Sequence, residues 1–275
     1  MELTLPARSV TAQRLLWVHV PKCGTPFGNI IARAGCTAAD RVTLAIMWQP
    51  ARRDNSEWPP DHLDPDVARR RASRNCSYAR LETAHRAVSD QQYGWGARLV
   101  TMLRTPCERT VSGFFAQLHS CESMKVRLRV GFDEFYSNFT EQHVREYASC
   151  VSACAVNLLT GRPCGNSDAN ESTAATAERR ELVSVAIRHL REDFFFVGLV
   201  SQWNTSVRLF ARMTNTTVKP SDFVPSHVSR GHPRKEEVSR LLCSDHHRFE
   251  DQRLYQAATT RFHEDLATWR MAGER

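Results

Sequence analysis

The stretch "LLWVHVPKCGTPFGNII", residues 15–31, decides how the rest of the chain is read. Its apolar run from 15 to 20 suits a strand buried on both faces of a parallel sheet. Pro21, Lys22 and Gly24 break the run, and Pro26 suits the first turn of a helix, where a missing N–H costs nothing. That helix is expected to reach about residue 34. A chain that leaves a parallel strand and enters a helix points unpaired N–H groups into the crevice at the sheet's C-terminal edge, where the helix dipole adds positive potential. Lys22 supplies a full charge there, Gly24 allows close approach, and Thr25 offers a hydroxyl. The loop therefore reads as an anion site, although the ATP-binding pattern G-x-x-x-x-G-K-[ST] is absent.

The pattern outside this stretch repeats the same alternation. Apolar runs at 41–47, 78–84, 97–103 and 194–200 read as strands, the runs at 97–103 and 194–200 as buried ones. Helical periodicity covers 106–119, 177–191 and 201–213, with two helices in 132–160 and two more in 233–269. The Pro- and Arg-rich segment 48–75 and the polar segment 161–176 read as loop insertions. Strands that alternate with helices predict an α/β fold, three-layered and P-loop-like, with a central parallel sheet flanked by helices. Residues 1–14 form a lead-in, and 15–270 a single domain. The chain's 275 residues suffice for one substantial core.

A net charge of +7 favours an anionic partner. No zinc-finger spacing or aromatic RNA-binding signature points to nucleic acid. The nine cysteines include no C-x-x-C, so zinc is not expected, and an odd count leaves at least one free thiol if the others pair. Five of the nine asparagines (Asn75, Asn138, Asn170, Asn204 and Asn215) stand in N-x-[ST], against roughly one or two by chance. That excess favours a secretory-pathway lumen over the cytoplasm. The apolar runs are far too short to span a bilayer, so an anchor, if there is one, is expected outside this sequence.

A second motif follows the strand at 97–103. In "VTMLRTPCERTVSGFF", Arg104 sits at the strand end and Ser112 two turns into the helix that Pro106 begins. The two can grip one phosphate from two sides, the arginine bidentately. Arg109 reads as a surface or salt-bridged residue that could also face the crevice. Together, Pro21-Lys22-Cys23-Gly24-Thr25-Pro26 and Arg104-Thr105-Pro106…Ser112 resemble the two motifs of sulfotransferases that use 3′-phosphoadenosine-5′-phosphosulfate. The "HVPK", "LRTPCERTVSGFF", "FFFVGLVSQWNTSVRLF" and "DQRLYQAATTRFHEDL" stretches resemble the carbohydrate branch, which includes the heparan-sulfate 2-O- and 6-O-sulfotransferases. The resemblance spans roughly 15–268, with the middle loops unmatched.

The resemblance implies a glycoprotein enzyme of the Golgi lumen, membrane-associated through an anchor, that moves a sulfuryl group to a hydroxyl of a carbohydrate, an anionic glycan in particular, without a metal. It implies that Lys22 stabilises the leaving oxygen. Lys22, Cys23, Gly24, Thr25, Pro26 and Phe27 would hold the 5′-phosphosulfate, and Arg104 and Ser112 the 3′-phosphate. His85, in "LETAHRAVSD", would be the general base, with Glu82 and then His62 as alternatives. Arg230 or Lys235, in the late basic segment 227–235, would close over the nucleotide. The run "ARRRASR" at 68–74 could track a sulfated glycan. Cys23, Pro26 and Thr105 depart from the family's usual Ser or Thr, second hydroxyl, and Asp or Asn. A non-catalytic homologue that binds anionic glycan therefore stands as one alternative, and a P-loop nucleotide phosphotransferase as another.

Overall fold

The computed structural model describes residues 15–34, 87–88, 98–127, 131–165, 173–224, 232–243 and 250–271. Three parallel strands form its sheet: β1 (Leu15–Val18), β2 (Arg98–Leu103) and β3 (Phe194–Leu199), in the order β1-β2-β3. The registers run from Leu15 opposite Arg98 to Val18 opposite Thr101, and from Val100 opposite Phe196 to Leu103 opposite Leu199. All three are the near-continuous apolar runs that burial on both faces demands. The expected strands at 41–47 and 78–84, and the insertion 48–75, lie outside the described residues.

Helices flank the sheet in a three-layer α/β arrangement. Helix α1 (Phe27–Ala34) follows β1, and α2 (Pro106–Phe114) follows β2 with Pro106 in its first turn. Four helices come next: α3 (Glu122–Arg127), α4 (Phe132–Asn138), α5 (Glu141–Cys150) and α6 (Cys154–Leu159). Helix α7 (Thr173–Glu192) leads into β3, and a short 3-10 turn joins β3 to α8 (Trp203–Met213). Helices α9 (Lys235–Cys243) and α10 (Asp251–Met271) close the chain. Phe27 of α1 stacks on Phe196 of β3 with ring centroids 5.5 Å apart, and Phe210 of α8 meets both edge-on. Helices α7 and α10 pack together and against β3.

A second apolar cluster lies beside the sheet core. It joins Val111 and Phe114 of α2, Met124 of α3, Phe135 of α4, Val144 and Tyr147 of α5, and Val238 and Leu242 of α9. The two cores meet along α2, and the tie there is ionic. Arg109 (4% exposed) donates from Nη2 to Asp251 Oδ2 at 3.0 Å and to the Val151 carbonyl at 2.7 Å. Asp251 also accepts from the Ala155 and Val156 N–H groups, at 3.0 and 2.8 Å, so it caps α6 from the start of α10. Burial pushes the Asp251 carboxyl above its usual range, opposed by Arg109 and by those two N–H groups. Arg109 is thus a buried ion-pair residue rather than a surface one.

Disulfides Cys107–Cys243, Cys121–Cys150 and Cys154–Cys164 tie α2 to α9, the segment before α3 to α5, and α6 to the turn after it. Three helical expectations change. The span 132–160 holds three helices rather than two, because Phe139 and Val151 adopt non-helical backbone at the breaks. Helix α2 stops at Phe114 instead of about 119, and α7 begins at Thr173, inside the expected loop 161–176. The expected membrane association is also corrected: among the described residues, no helix is long and apolar enough to cross a membrane.

Asp251→Ala leaves the buried Arg109 charge unpaired and the α6 N-terminus uncapped. Urea unfolding is expected to show a loss of about 3–5 kcal/mol. The double variant Arg109→Met, Asp251→Leu removes both charges and recovers most of that loss.

Candidate anion site

The loop after β1 is built from two tight turns. The Cys23 N–H donates to the Val20 carbonyl at 3.2 Å, closing a turn with Pro21 and Lys22 at its centre. Lys22 has φ 62°, a left-handed conformation that costs a side-chain-bearing residue about 1 kcal/mol or more. The Phe27 and Gly28 N–H groups then donate to the Gly24 and Thr25 carbonyls, at 2.9 and 3.1 Å, and start α1. The N–H groups of Gly24 and Thr25 have no acceptor among the described residues. Gly24 is required on two counts. Its φ is +81°, and a Cβ there would lie 3.0 Å from Trp203, 3.5 Å from Val200 and 3.7 Å from Met102. The loops after β1 and β3 meet at this glycine.

Lys22 and Arg104 converge from the ends of β1 and β2. Burial, then the positive charge of Arg104, hold the Lys22 ammonium below the ordinary lysine value. Arg104 is thus the charged group whose influence on Lys22 is felt among the described residues. Arg104 bonds Glu108 through Nε at 3.3 Å, in a pair 29% and 51% exposed. Such an exposed pair is worth at most about 1 kcal/mol and yields readily to a stronger anion. The Lys22 stem lies over α2: its Cγ is 3.8 Å from where a Cβ on Gly113 would stand. Ser112, half-buried, is the residue before that glycine.

The remaining loop residues divide by direction. Thr25 Oγ1 is 3.3 Å from His19 Nε2, and the His19 ring packs on Trp17 with centroids 4.3 Å apart. Histidine 19 therefore orients the threonine. The Phe27 side chain is fully buried in the sheet core, so only its backbone belongs to the loop. Cys23 is a free thiol, 1% exposed, turned beneath the loop. It lines a small cavity with Leu103, Arg104, Arg109 and Asp251. Burial pushes its thiol up to about 12, so it stays protonated and inert. Thr105, at the N-cap position of α2, makes no capping bond, and its buried hydroxyl has no partner among the described residues. His85, Glu82, His62 and Arg230 lie outside the described residues. Lys235 opens α9 on the surface.

The edge of the sheet offers two cations, the Gly24 and Thr25 N–H groups and the Thr25 hydroxyl near the starts of α1 and α2, with Ser112 two turns further along α2. Cations and unpaired N–H groups so placed suit an anion. Sequence reasoning missed the supporting parts: Gly113, the Tyr147 hydroxyl over it, and the Arg109–Asp251 pair beneath Cys23. Only the small residue directly after Ser112 carried any local signal. In comparisons with protein-family models, with curated proteins and with solved structures, no match was found.

Two outcomes test this geometry. Because glycine relieves the left-handed backbone that alanine keeps, Lys22→Gly is expected to be more stable than Lys22→Ala by about 1 kcal/mol in urea unfolding. Iodoacetamide is expected to label Cys23 only after denaturation, as read by mass spectrometry of the peptide that contains it.

Proposed function

We propose that the protein is a carbohydrate sulfotransferase that takes its sulfuryl group from 3′-phosphoadenosine-5′-phosphosulfate. One observation carries this reading. A left-handed, half-buried lysine lies beside an arginine from the end of the next strand, and that arginine is held only by the partly exposed Glu108. Both features cost stability, and an anion that bridges the two cations offsets them. The spacing of Arg104, Pro106 and Ser112, and the resemblance noted in the sequence, supply the choice of nucleotide.

In the reaction, an acceptor hydroxyl oxygen attacks sulfur, and the bond from sulfur to the bridging phosphate oxygen breaks. The products are a sulfate ester and 3′,5′-adenosine bisphosphate. The attacking and leaving oxygens lie in line, so positioning and charge neutralisation dominate. Lys22 neutralises charge on the departing phosphate oxygen. Arg104 and Ser112 hold the 3′-phosphate, and the Gly24 and Thr25 N–H groups, with the Thr25 hydroxyl, face the 5′-group. A base takes the acceptor proton, and His85 is assigned that role by resemblance alone. The three disulfides and the exposed sequon residues Asn138, Asn204 and Asn215 favour an oxidising, secretory-pathway compartment.

A specific observation also supports the reading of a homologue that binds without transfer. The Cys23 thiol is turned under the loop, so it does not replace the hydroxyl that the family's motif would place on the cofactor. The missing hydrogen bond corresponds to ~1–3 kcal/mol of affinity.

Thermal stabilisation by 3′,5′-adenosine bisphosphate tests the proposal. A rise in Tm is expected with the bisphosphate, little or none with ATP and Mg²⁺, and loss of the rise in Lys22→Ala and Arg104→Ala. The reverse preference would overturn the reading. Transfer of labelled sulfate to a panel of glycans then separates the enzyme from the binding-only homologue. Affinity for the bisphosphate is also expected to fall as pH rises toward 10.5, the ordinary lysine value. The sign follows from the lowered Lys22 pKa, since the ammonium is lost earlier than usual while the ligand's phosphates, titrating near pH 6, are already fully charged. In Lys22→Arg this alkaline loss disappears.

A further inference from the structure

Three of the N-x-[ST] sequons fall within the described residues, and the fold treats them differently. Transfer of an oligosaccharide needs both ends of a sequon: the asparagine amide that takes the sugar, and the hydroxyl two residues on that the transferring enzyme reads. Both must stand on accessible, irregular backbone.

Asn215 meets these requirements most completely. It follows the last turn of α8 with φ 52°, in the left-handed conformation that asparagine tolerates after glycine. Its N–H donates to the Arg212 carbonyl at 3.3 Å, and the Thr216 N–H to the Ala211 carbonyl at 2.8 Å, the paired bonds of a Schellman turn. That turn accounts for the asparagine but not for Thr217. Asn215 and Thr217 are both exposed, and the chain is no longer helical there. Helix α8 begins at the sheet edge that carries the Lys22 loop and is 11 residues long, so Asn215 lies about 16 Å from that edge.

Asn138 is the second such position. It ends α4, and Phe139 and Thr140 are extended. Alternate side chains of extended backbone face opposite ways. Phe139 is buried in the second core, and Asn138 and Thr140 are exposed on either side of it. The bonds these two make, from Asn138 Nδ2 to the Glu134 carbonyl at 3.2 Å and between the Thr140 hydroxyl and the His143 N–H at 3.4 Å, lie at the surface.

Asn204 is the contrast. Asn204, Thr205 and Ser206 all lie inside α8. Ser206 is fully buried, and its hydroxyl donates to the Leu199 carbonyl at 3.0 Å and accepts from the Leu199 N–H at 2.9 Å. The hydroxyl that the enzyme must read is thus sealed in the core. Asn204 itself follows Trp203, whose ring lies against Gly24 of the anion loop, so a glycan there would stand at the edge of that site.

We propose that Asn138 and Asn215 are N-glycosylation sites of this chain, and that Asn204 is a sequon its fold withholds. In each transfer the asparagine side-chain nitrogen bonds to the anomeric carbon of a lipid-pyrophosphate-linked oligosaccharide. The bond from that carbon to the pyrophosphate oxygen breaks, the lipid pyrophosphate leaves, and the amide gives one proton to a base of the transferring enzyme. The three disulfides suit the oxidising lumen where such donors are used.

Mass spectrometry tests this on the full chain, directed into the secretory pathway of cultured animal cells. A peptide N-glycosidase in heavy-oxygen water converts each glycan-bearing asparagine to labelled aspartate. Label is expected at Asn138 and Asn215 and not at Asn204. Asn138→Gln, and Asn215→Gly, which keeps the left-handed turn, are each expected to lower the apparent mass of the untreated protein by one glycan step. Asn204→Gln is expected to leave it unchanged. The mapping needs no variant, so a variant that fails to fold leaves the test intact. A bare asparagine at Asn138 or Asn215, or label at Asn204 equal to theirs, would overturn the proposal. A chain that carries both glycans but binds no 3′,5′-adenosine bisphosphate would count against the sulfotransferase reading and support this one.

Discussion

The Arg109–Asp251 ion pair is the constraint on which the described structure most depends. It joins the helix after β2, the N-terminus of α6 and the first residue of α10, segments up to 142 residues apart. With the charged groups almost fully withdrawn from water, the pair is made tolerable by further hydrogen bonds: the Val151 carbonyl on the arginine side, two N–H groups on the aspartate side. Arg109 lies on the same helix as Ser112 and a few residues past Arg104. Fixing its guanidinium therefore fixes the angle at which α2 leaves the sheet, and with it the distance between Arg104 and the Lys22 loop. Cys23, packed above the pair, transmits the same constraint to the loop after β1.

The site follows from this arrangement by addition. Two parallel strands deliver their C-terminal loops side by side, as any βα unit does. Particular to this chain is what the loops then present. Lys22 is forced into left-handed backbone, Arg104 is lightly held by an exposed glutamate, and Gly113 is bare so that the lysine stem and the Tyr147 hydroxyl can both reach α2. The first two are local costs of the kind expected of groups kept for a ligand, while Gly113 also serves the packing of Tyr147. Cys23 is different. Its position in the motif drew attention to it as a donor, but its sulfur serves packing beneath the loop.

Much of the fold was legible because buried parallel strands and punctuating prolines leave strong local signals. Leu15–Val18, Arg98–Leu103 and Phe194–Leu199 were all expected from apolar runs, and α1 and α2 from Pro26 and Pro106. Lys22, Gly24, Thr25, Arg104 and Ser112 were singled out from their place after apolar strands and from the resemblance, and the structure puts the Lys22 loop and Arg104 beside one another at the strand ends. The early end of α2 was not legible. Its continuation, "FAQLHS", is compatible with a helix by composition, and only tertiary groups (Tyr136, Tyr147 and the Cys121–Cys150 bond) hold it in left-handed turns. Nor was the Arg109–Asp251 pair, since nothing in a sequence links two charges so far apart. Phe27 shows the converse error: motif position assigned it to the cofactor, while its aromatic ring belongs to the Phe196 and Phe210 stack.

The central claim is that Lys22 and Arg104, brought together from two strand ends, grip one bisphosphorylated nucleotide. A crystal structure of the chain with 3′,5′-adenosine bisphosphate tests it most directly. The account predicts the 5′-phosphate on the Lys22 ammonium and the Gly24 and Thr25 N–H groups, and the 3′-phosphate on Arg104 and Ser112. A nucleotide bound elsewhere, or bound here with Arg104 still paired to Glu108 and Lys22 turned away, would contradict it.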